Sequence, residues 1–388
     1  MPKAKILILS FSPIARDPRV MRQVGLFQDE YALTVAGFGP SPNAAIEYVC
    51  LDYLPSQRIR FRRLRWELYL LTGLFERYYW SRTEVRLALT ATRNQRFDVV
   101  IANDIVALPL AVRIAHGSPV LLDAHEYSPT EFEDRILWRV RYGRLYKHIC
   151  HEYLPKCAAM STVCEGVAAE YKRVFGAEPF VVENAPSLQS LVPSPTQEGL
   201  VKMIHHGAAI RSRRLELMID MMQHLDQRFR LDFMLVGNDR RYVAELQLRA
   251  AADSRIRFLE PVPMPEICRA TNPYDLGLFL LPPTNFNYRF ALPNKLFEFV
   301  QARLGVAIGP SPEMARVVTT HNLGLVASSF EPSDLARRLN AMTHDQLCEY
   351  KRSAHAAATQ LCFEAVASRW QSTVENLLAE RKLTSAAS

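Results

Sequence analysis

At 388 residues the chain is too long for one ordinary domain, and 49% hydrophobic against 22% charged residues is a globular balance that argues against disorder. The formal charge of +7 is shared, with 24 Lys and Arg against 20 Asp and Glu up to Asn184 and 23 against 20 beyond it, so only local clusters carry weight. Seven cysteines without a CxxC pair or a His/Cys ligand spacing suggest neither a zinc site nor a disulfide framework, and no run of about 18 apolar residues spans a bilayer, which places the protein in a reducing cytoplasm.

The first apolar run, AKILILS, is short and is followed by Arg16 and Asp17, so it predicts a buried strand and not a leader. ALTVAGF, FDVVIAN and SPVLLDA follow it in the first half; VKMIHHG, LDFMLVG, DLGLFLL and GVAIG occupy the second. Helix-period segments separate these runs, and that rhythm predicts parallel α/β sheets. It occurs twice, on either side of NAPSLQSLVPSPTQEG, a Pro- and Ser-rich stretch that predicts a linker. Ligands of doubly wound sheets bind past the carboxyl ends of the strands, so residues just after strands come first. No GxGxxG or GxxxxGK[ST] follows any of them, which disfavours dinucleotide and P-loop chemistry.

After the first strand, SFSPIARDPRVMRQVG offers Arg16, Asp17 and Arg19 either to an acceptor or to an ordinary surface loop. Residues 57 to 82, QRIRFRRLRWELYLLTGLFERYYWSR, mix seven arginines with Phe61, Trp66, Tyr69, Phe75, Tyr78, Tyr79 and Trp80. Basic and aromatic together fit an anionic lipid surface; a core helix with a solvated basic face is the alternative. Nothing supports a nucleic-acid groove. SPVLLDAHEYSP leaves His125 and Glu126 just past a strand, as cleft residues or as structural ones. In VKMIHHGAAIRSRRLELMID, Gly207 allows close approach and Arg213 can clamp a diphosphate. In ALPNKLFEFVQAR, Pro293 and Asn294 signal a helix start, with Lys295 and Glu298 in its first turn. Such an end attracts phosphate, and Glu298 can accept hydrogen bonds from vicinal hydroxyls; the alternative is that it merely suits the helix dipole.

The order of these pieces, with HEYLPKCAAMSTVCEG, FVVENAP, RIRFLEPVPMPEI and PNKLFEFVQARLGVAIGP between and around them, resembles the family-four glycosyltransferases of the GT-B fold over nearly the entire chain. The resemblance implies two Rossmann-like, doubly wound α/β domains facing a central cleft. The expected bounds are an acceptor-side domain at 1–184, a nucleotide-sugar donor domain at 200–363, and a C-terminal helix at 364–388 that can cross back to the first domain. It implies a retaining, metal-independent hexosyl transfer, and no Asp-x-Asp is present. The donor would be a UDP- or GDP-sugar and the acceptor a lipid-linked or growing bacterial glycan, met at the inner face of the cell membrane.

Carried over by position, Glu298 binds the ribose, while Arg213 takes the place of a diphosphate-binding lysine. Gly207, Val262, Pro293, Asn294 and Lys295 complete the donor site. His125 sits beside the transferred sugar, and Arg213 and Lys295 stabilise the charge that leaves with the diphosphate. Three positions depart from the pattern: Ala208 replaces an arginine, Phe290 the first glutamate of the family's Glu, seven residues, Glu motif, and Arg214 a glycine. Asn285, Asn287, Arg289 or backbone N–H groups near Asn294 could then hold the sugar. A nucleotide-sugar 2-epimerase of the same fold and an inactive, donor-binding partner subunit are the alternative functions.

Overall fold

The computed structural model describes residues 3–53, 59–237 and 239–386. Gln57 and Arg58 of the basic aromatic stretch lie outside them. The chain divides into two units, Met1–Val182 with Ala367–Ser388, and Glu183–Val366.

The first unit is built on seven parallel strands: β1 (Lys5–Pro13), β2 (Ala32–Phe38), β3 (Glu47–Cys50), β4 (Val99–Asn103), β5 (Val120–Ala124), β6 (Ala159–Thr162) and β7 (Phe180–Val181), in the order β3-β2-β1-β4-β5-β6-β7. Ile8 pairs with Val35 on one side and Ile101 on the other. Ile6, Leu7, Ile8 and Leu9 are all fully buried, because a parallel sheet is covered on both faces. The second unit repeats the plan with β8 (Val201–Ala208), β9 (Phe229–Val236), β10 (Ile256–Leu259), β11 (Leu276–Phe279), β12 (Gly305–Ile308) and β13 (Gly324–Val326), ordered β10-β9-β8-β11-β12-β13. In both sheets the order reverses beside the first strand, between β1 and β4 and between β8 and β11. A crevice past the carboxyl ends opens at such a reversal.

All eight expected strands are present. The short β3, β6, β7, β10 and β13 are additional, each two to four residues long and at or next to a sheet edge, too short to show a period. The Pro- and Ser-rich stretch is fastened to the second unit: Gln189 N–H donates to Gln301 Oε1 (3.0 Å), and Arg303 Nη2 donates to Gln189 O (2.6 Å). The last helix, Phe363–Ala386, joins the first unit from Ala367 onward. There Trp370 is buried, its Nε1 donating to Ser161 Oγ (3.0 Å), and Arg381 Nη1 binds Phe97 O and Asp98 Oδ1.

Two stretches of the first unit acquire directions that the sequence does not give. The loop after β1 does not hold its charges out: Asp17 caps helix α1 (Pro18–Phe27), accepting from the backbone N–H of Arg19 and Val20, and Pro18 opens the helix. Arg19 turns inward, buried, onto Asp123, leaving Arg16 exposed. In the basic aromatic stretch, Trp66 of helix α2 (Ile59–Thr72) and the rings of α3 (Phe75–Ser81) pack within the protein. Phe75, Tyr78 and Tyr79 are buried, Trp66 meets the Tyr78 ring edge-on and donates to Ser81 Oγ (2.7 Å), and Trp80 donates to Glu76 (2.7 Å). These rings find packing partners and hydrogen-bond acceptors within the protein.

Candidate active site

In the second unit the site grows from the end of β8. The run HHGA carries a buried strand to its carboxyl terminus, where Gly207 has φ +120°, a left-handed value that side chains disfavour. The close neighbour is Lys295: a Cβ on Gly207 would lie 3.3 Å from its Nζ and 3.5 Å from its Cε. Lys295 is the second residue of the helix Asn294–Gln301, whose N-cap is Pro293 and whose start carries no side-chain cap. Pro293 thus precedes the helix, and Glu298 is the fifth helical residue, one turn deeper than the sequence suggests.

Lys295 is buried and has no carboxylate within ion-pair distance among the described residues. Its Nζ lies 3.3 Å from His205 Nε2 and 4.0 Å from the centre of the Phe279 ring. His205 Nδ1 donates to Leu278 O (2.9 Å), which leaves Nε2 as the bare nitrogen facing the lysine. Burial holds the Lys295 amine well below its usual range, the Arg213 charge adds to the effect, and Glu298 opposes it. Arg213, half-buried on the turn Arg211–Arg213, donates from Nη1 to Ala208 O (3.4 Å). A buried lysine and an arginine at the end of one strand form a receptor for an anion.

Glu298 is buried on the same helix, with Oε2 3.5 Å from His206 Nε2. That nitrogen is buried without a hydrogen-bond partner, and burial, then the Lys295 charge, push the imidazole down to about 3, so it is neutral. His205 and His206 stood in the sequence as strand residues; their signal was two consecutive histidines in a run that the sheet buries on both sides. Arg214 has φ +52°, the conformation that the resembled family's glycine adopts freely, so an arginine is held there against its preference. Asn285 caps the short helix Phe286–Arg289, its Oδ1 accepting from Tyr288 N–H (2.8 Å), and Arg289 lies over the Phe290 ring. Tyr288 and Ser212 hydroxyls, 3.0 Å apart, tie this loop to the Arg213 turn. Val262 is half-buried on the loop after β10, which lies two strands from β8 in the sheet.

In the first unit His125 follows β5, and its ring is engaged at both nitrogens. Nε2 faces Asn103 Oδ1 (3.1 Å) and Asp123 Oδ2 (3.4 Å); Nδ1 faces Asp104 Oδ2 (3.3 Å). The orientation of Asn103 is set, because its Nδ2 donates to Gln23 Oε1 (2.9 Å) while Gln23 Nε2 donates to Asp123 (2.8 Å). Burial alone would lower the His125 pKa, but the Asp104 and Asp123 carboxylates outweigh it and raise it, so the imidazolium is favoured. Asp123 is completely buried, and although burial opposes ionisation, Arg19 on both of its oxygens holds it well below the usual carboxylate range. Asp104 sits at φ +64°, a strained position for a non-glycine residue. Asn103 and Asp104 were visible as the end of FDVVIAND; the roles of Arg19 and Gln23 needed the fold. Among the described residues no group of three His, Cys, Asp or Glu is placed to hold a metal ion.

No family model matches the chain, and no curated protein matches it. Solved structures do. HepE of Anabaena in complex with UDP and glucose aligns over 96% of this chain and 100% of its own, with a TM-score of 0.67 at 14% identity. Sucrose-phosphate synthase of Thermosynechococcus elongatus aligns over 97% and 100%, with 0.74 at 11%. WaaG, a glycosyltransferase involved in lipopolysaccharide biosynthesis, aligns over 95% and 99%, with 0.66 at 13%. At such identities the likeness is one of fold, and as the sequence pattern led us to expect, the chain has the GT-B fold of these glycosyltransferases.

Proposed function

We propose that the chain is a retaining glycosyltransferase that moves a sugar from a nucleoside diphosphate to a hydroxyl of a glycan acceptor, lipid-linked or growing, without a metal ion. The observation that carries this reading is the meeting of Lys295, Gly207, Arg213 and Glu298 at the carboxyl end of the second sheet, on a chain with this fold. HepE, of the same fold, holds UDP and glucose in one structure and UDP-glucose in another, which supports a nucleotide-sugar donor.

In this reading the diphosphate lies against Lys295 and Arg213, and Glu298 accepts hydrogen bonds from the ribose hydroxyls. The bond between the anomeric carbon and the β-phosphate oxygen breaks with its electron pair going to that oxygen, the acceptor hydroxyl oxygen bonds to the same carbon from the same face, and its proton passes to the departing phosphate. The developing negative charge then falls on the two cations and the uncapped helix start. An anion here favours the ammonium form of Lys295, against the burial that disfavours it. With Phe290 in place of the family's sugar-touching glutamate and Asn285 used as a cap, the backbone N–H groups at Asn294 and Lys295 hold the sugar.

The test is an assay of the purified protein with UDP- and GDP-sugars, with and without glycan acceptors, reading the product anomer by NMR and repeating the reaction in EDTA. Acceptor-dependent transfer with retained configuration, indifferent to chelator, is expected. Conversion of the donor sugar at C2 without acceptor would make it an epimerase, and loss of activity in EDTA restored by manganese would refute the metal-free mechanism.

A further inference from the structure

The geometry points to a monotopic membrane-docking face on the first unit, built from aliphatic side chains of α2 and of the segment 136–140 and rimmed by arginines, whose occupant is an anionic bilayer surface. Helix α2 has apolar groups on both of its sides. Trp66 and Leu70 face the protein, while Leu64, Leu68 and Leu71, at i, i+4 and i+7, are 71%, 56% and 50% exposed. Ile136, Leu137 and Val140 are 67%, 68% and 43% exposed. Six of the eighteen exposed large apolar side chains among the described residues therefore fall in two short stretches.

The two stretches are joined. Arg141 Nε pairs with Glu67 Oε2 (2.9 Å), Arg144 Nη1 donates to Leu71 O (3.3 Å), and Trp138 anchors the second stretch between Phe132 and Tyr146, meeting both edge-on. The leucines and the Ile136–Val140 group are thus one patch on a fixed support. A patch of this kind is a liability in water unless something covers it.

The charge around it selects the cover. Across residues 63–74 and 132–147 there are seven basic residues against three acids, Glu67, Glu133 and Asp134, and Glu67 is already held by Arg141. Arg63, Arg65, Arg135, Arg139, Arg144 and Lys147 are exposed. Exposed aliphatics flanked by arginines match acyl chains beneath anionic headgroups, where the apolar groups enter the interface and each base gains from the surface potential. No helix among the described residues is long and apolar enough to cross a membrane.

The experiment is co-sedimentation of the full chain with vesicles of phosphatidylcholine alone and of phosphatidylcholine and phosphatidylglycerol in equal parts, at low and high salt. Binding is expected to the anionic vesicles only and to weaken with salt. The pair Ile136→Ser and Leu137→Ser should weaken it by roughly tenfold per side chain. Arg135→Gln and Arg139→Gln should weaken it by about fivefold each. Thermal unfolding checks that these surface variants fold; if the serine pair does not, Leu64→Ser with Leu68→Ser replaces it, with the same loss expected. Wild type that ignores anionic vesicles, or a folded aliphatic variant that binds as well as wild type, overturns the proposal. So does a lipid-free dimer that the aliphatic variant turns into a monomer, since a second copy would then be the cover. Donor hydrolysis is read separately, so failure here leaves the donor chemistry standing.

Discussion

Replacing Gly207 by alanine should damage the donor site through a single methyl group. At φ +120° a side-chain-bearing residue is strained, at a cost of about 1–3 kcal/mol, and the added Cβ would sit 3.3 Å from Lys295 Nζ. The lysine end is flexible and would give way, but it would then leave the contact with His205 Nε2 and its place over Phe279. Two losses follow. The unfolding temperature should fall by about 2–4 °C for each kcal/mol in a unit of this size. UDP affinity, read by calorimetry, should fall about tenfold or more, the scale of one charge-assisted hydrogen bond. Gly25→Ala is the matched control: it lies within α1 with nothing within 4 Å of a built Cβ, so alanine there should leave UDP binding alone and stabilise by about 0.5–1 kcal/mol. Unchanged stability and unchanged UDP affinity in Gly207→Ala would refute the reasoning, for then neither the backbone conformation nor the lysine's path matters.

Arg214→Gly should raise the unfolding temperature, by relief of about 1–2 kcal/mol of left-handed strain at φ +52°; a drop on thermal unfolding would show that the arginine's contacts outweigh it. Glu298→Ala should weaken UDP by about 1.5–3 kcal/mol, roughly ten- to hundredfold in Kd, and weaken the free nucleoside as well, because the lost contact is to ribose; equal affinity by calorimetry would break the assignment. His125 has a folded pKa above its ordinary 6.5, so its stabilising contribution is whole below that value and is lost as pH rises through the higher folded one. The gap in unfolding temperature between wild type and His125→Gln should therefore shrink from slightly acidic to alkaline pH, and a gap that widens would reverse the sign.

The double α/β rhythm was legible because a fully buried parallel strand is a run of apolar residues, and Ile6 to Leu9 or Val306 to Ile308 could be little else. The helix start at Pro293 and Asn294 was legible for a local reason, its proline and the amphipathic run behind it. Direction was harder to read. The sequence shows that residues 57 to 82 are basic and aromatic, but which face of α2 looks inward depends on α3 and on residues 132–144, so Phe75, Tyr78 and Tyr79 lie inside while Leu64, Leu68 and Leu71 lie outside. Arg19 likewise reads as a loop cation until Asp123, more than a hundred positions away, is brought beneath it by the neighbouring strands. His205 and Asp104 belong to the same class, ordinary residues until the partner across the sheet is known.

The return of the last helix to the first unit bears on how the protein is made. Arg19, bound to Asp123, has the Trp370 ring 4.8 Å from its guanidinium, and Trp370 also donates to Ser161, 209 positions earlier in the chain. The amino-terminal unit therefore leaves the ribosome without the side chain that closes over its buried ion pair. It must wait while the intervening unit is translated, on the order of 10–40 s at ordinary elongation rates. During that interval the second unit, continuous from Glu183 to Val366, can fold by itself, and the half synthesised first is the half completed last.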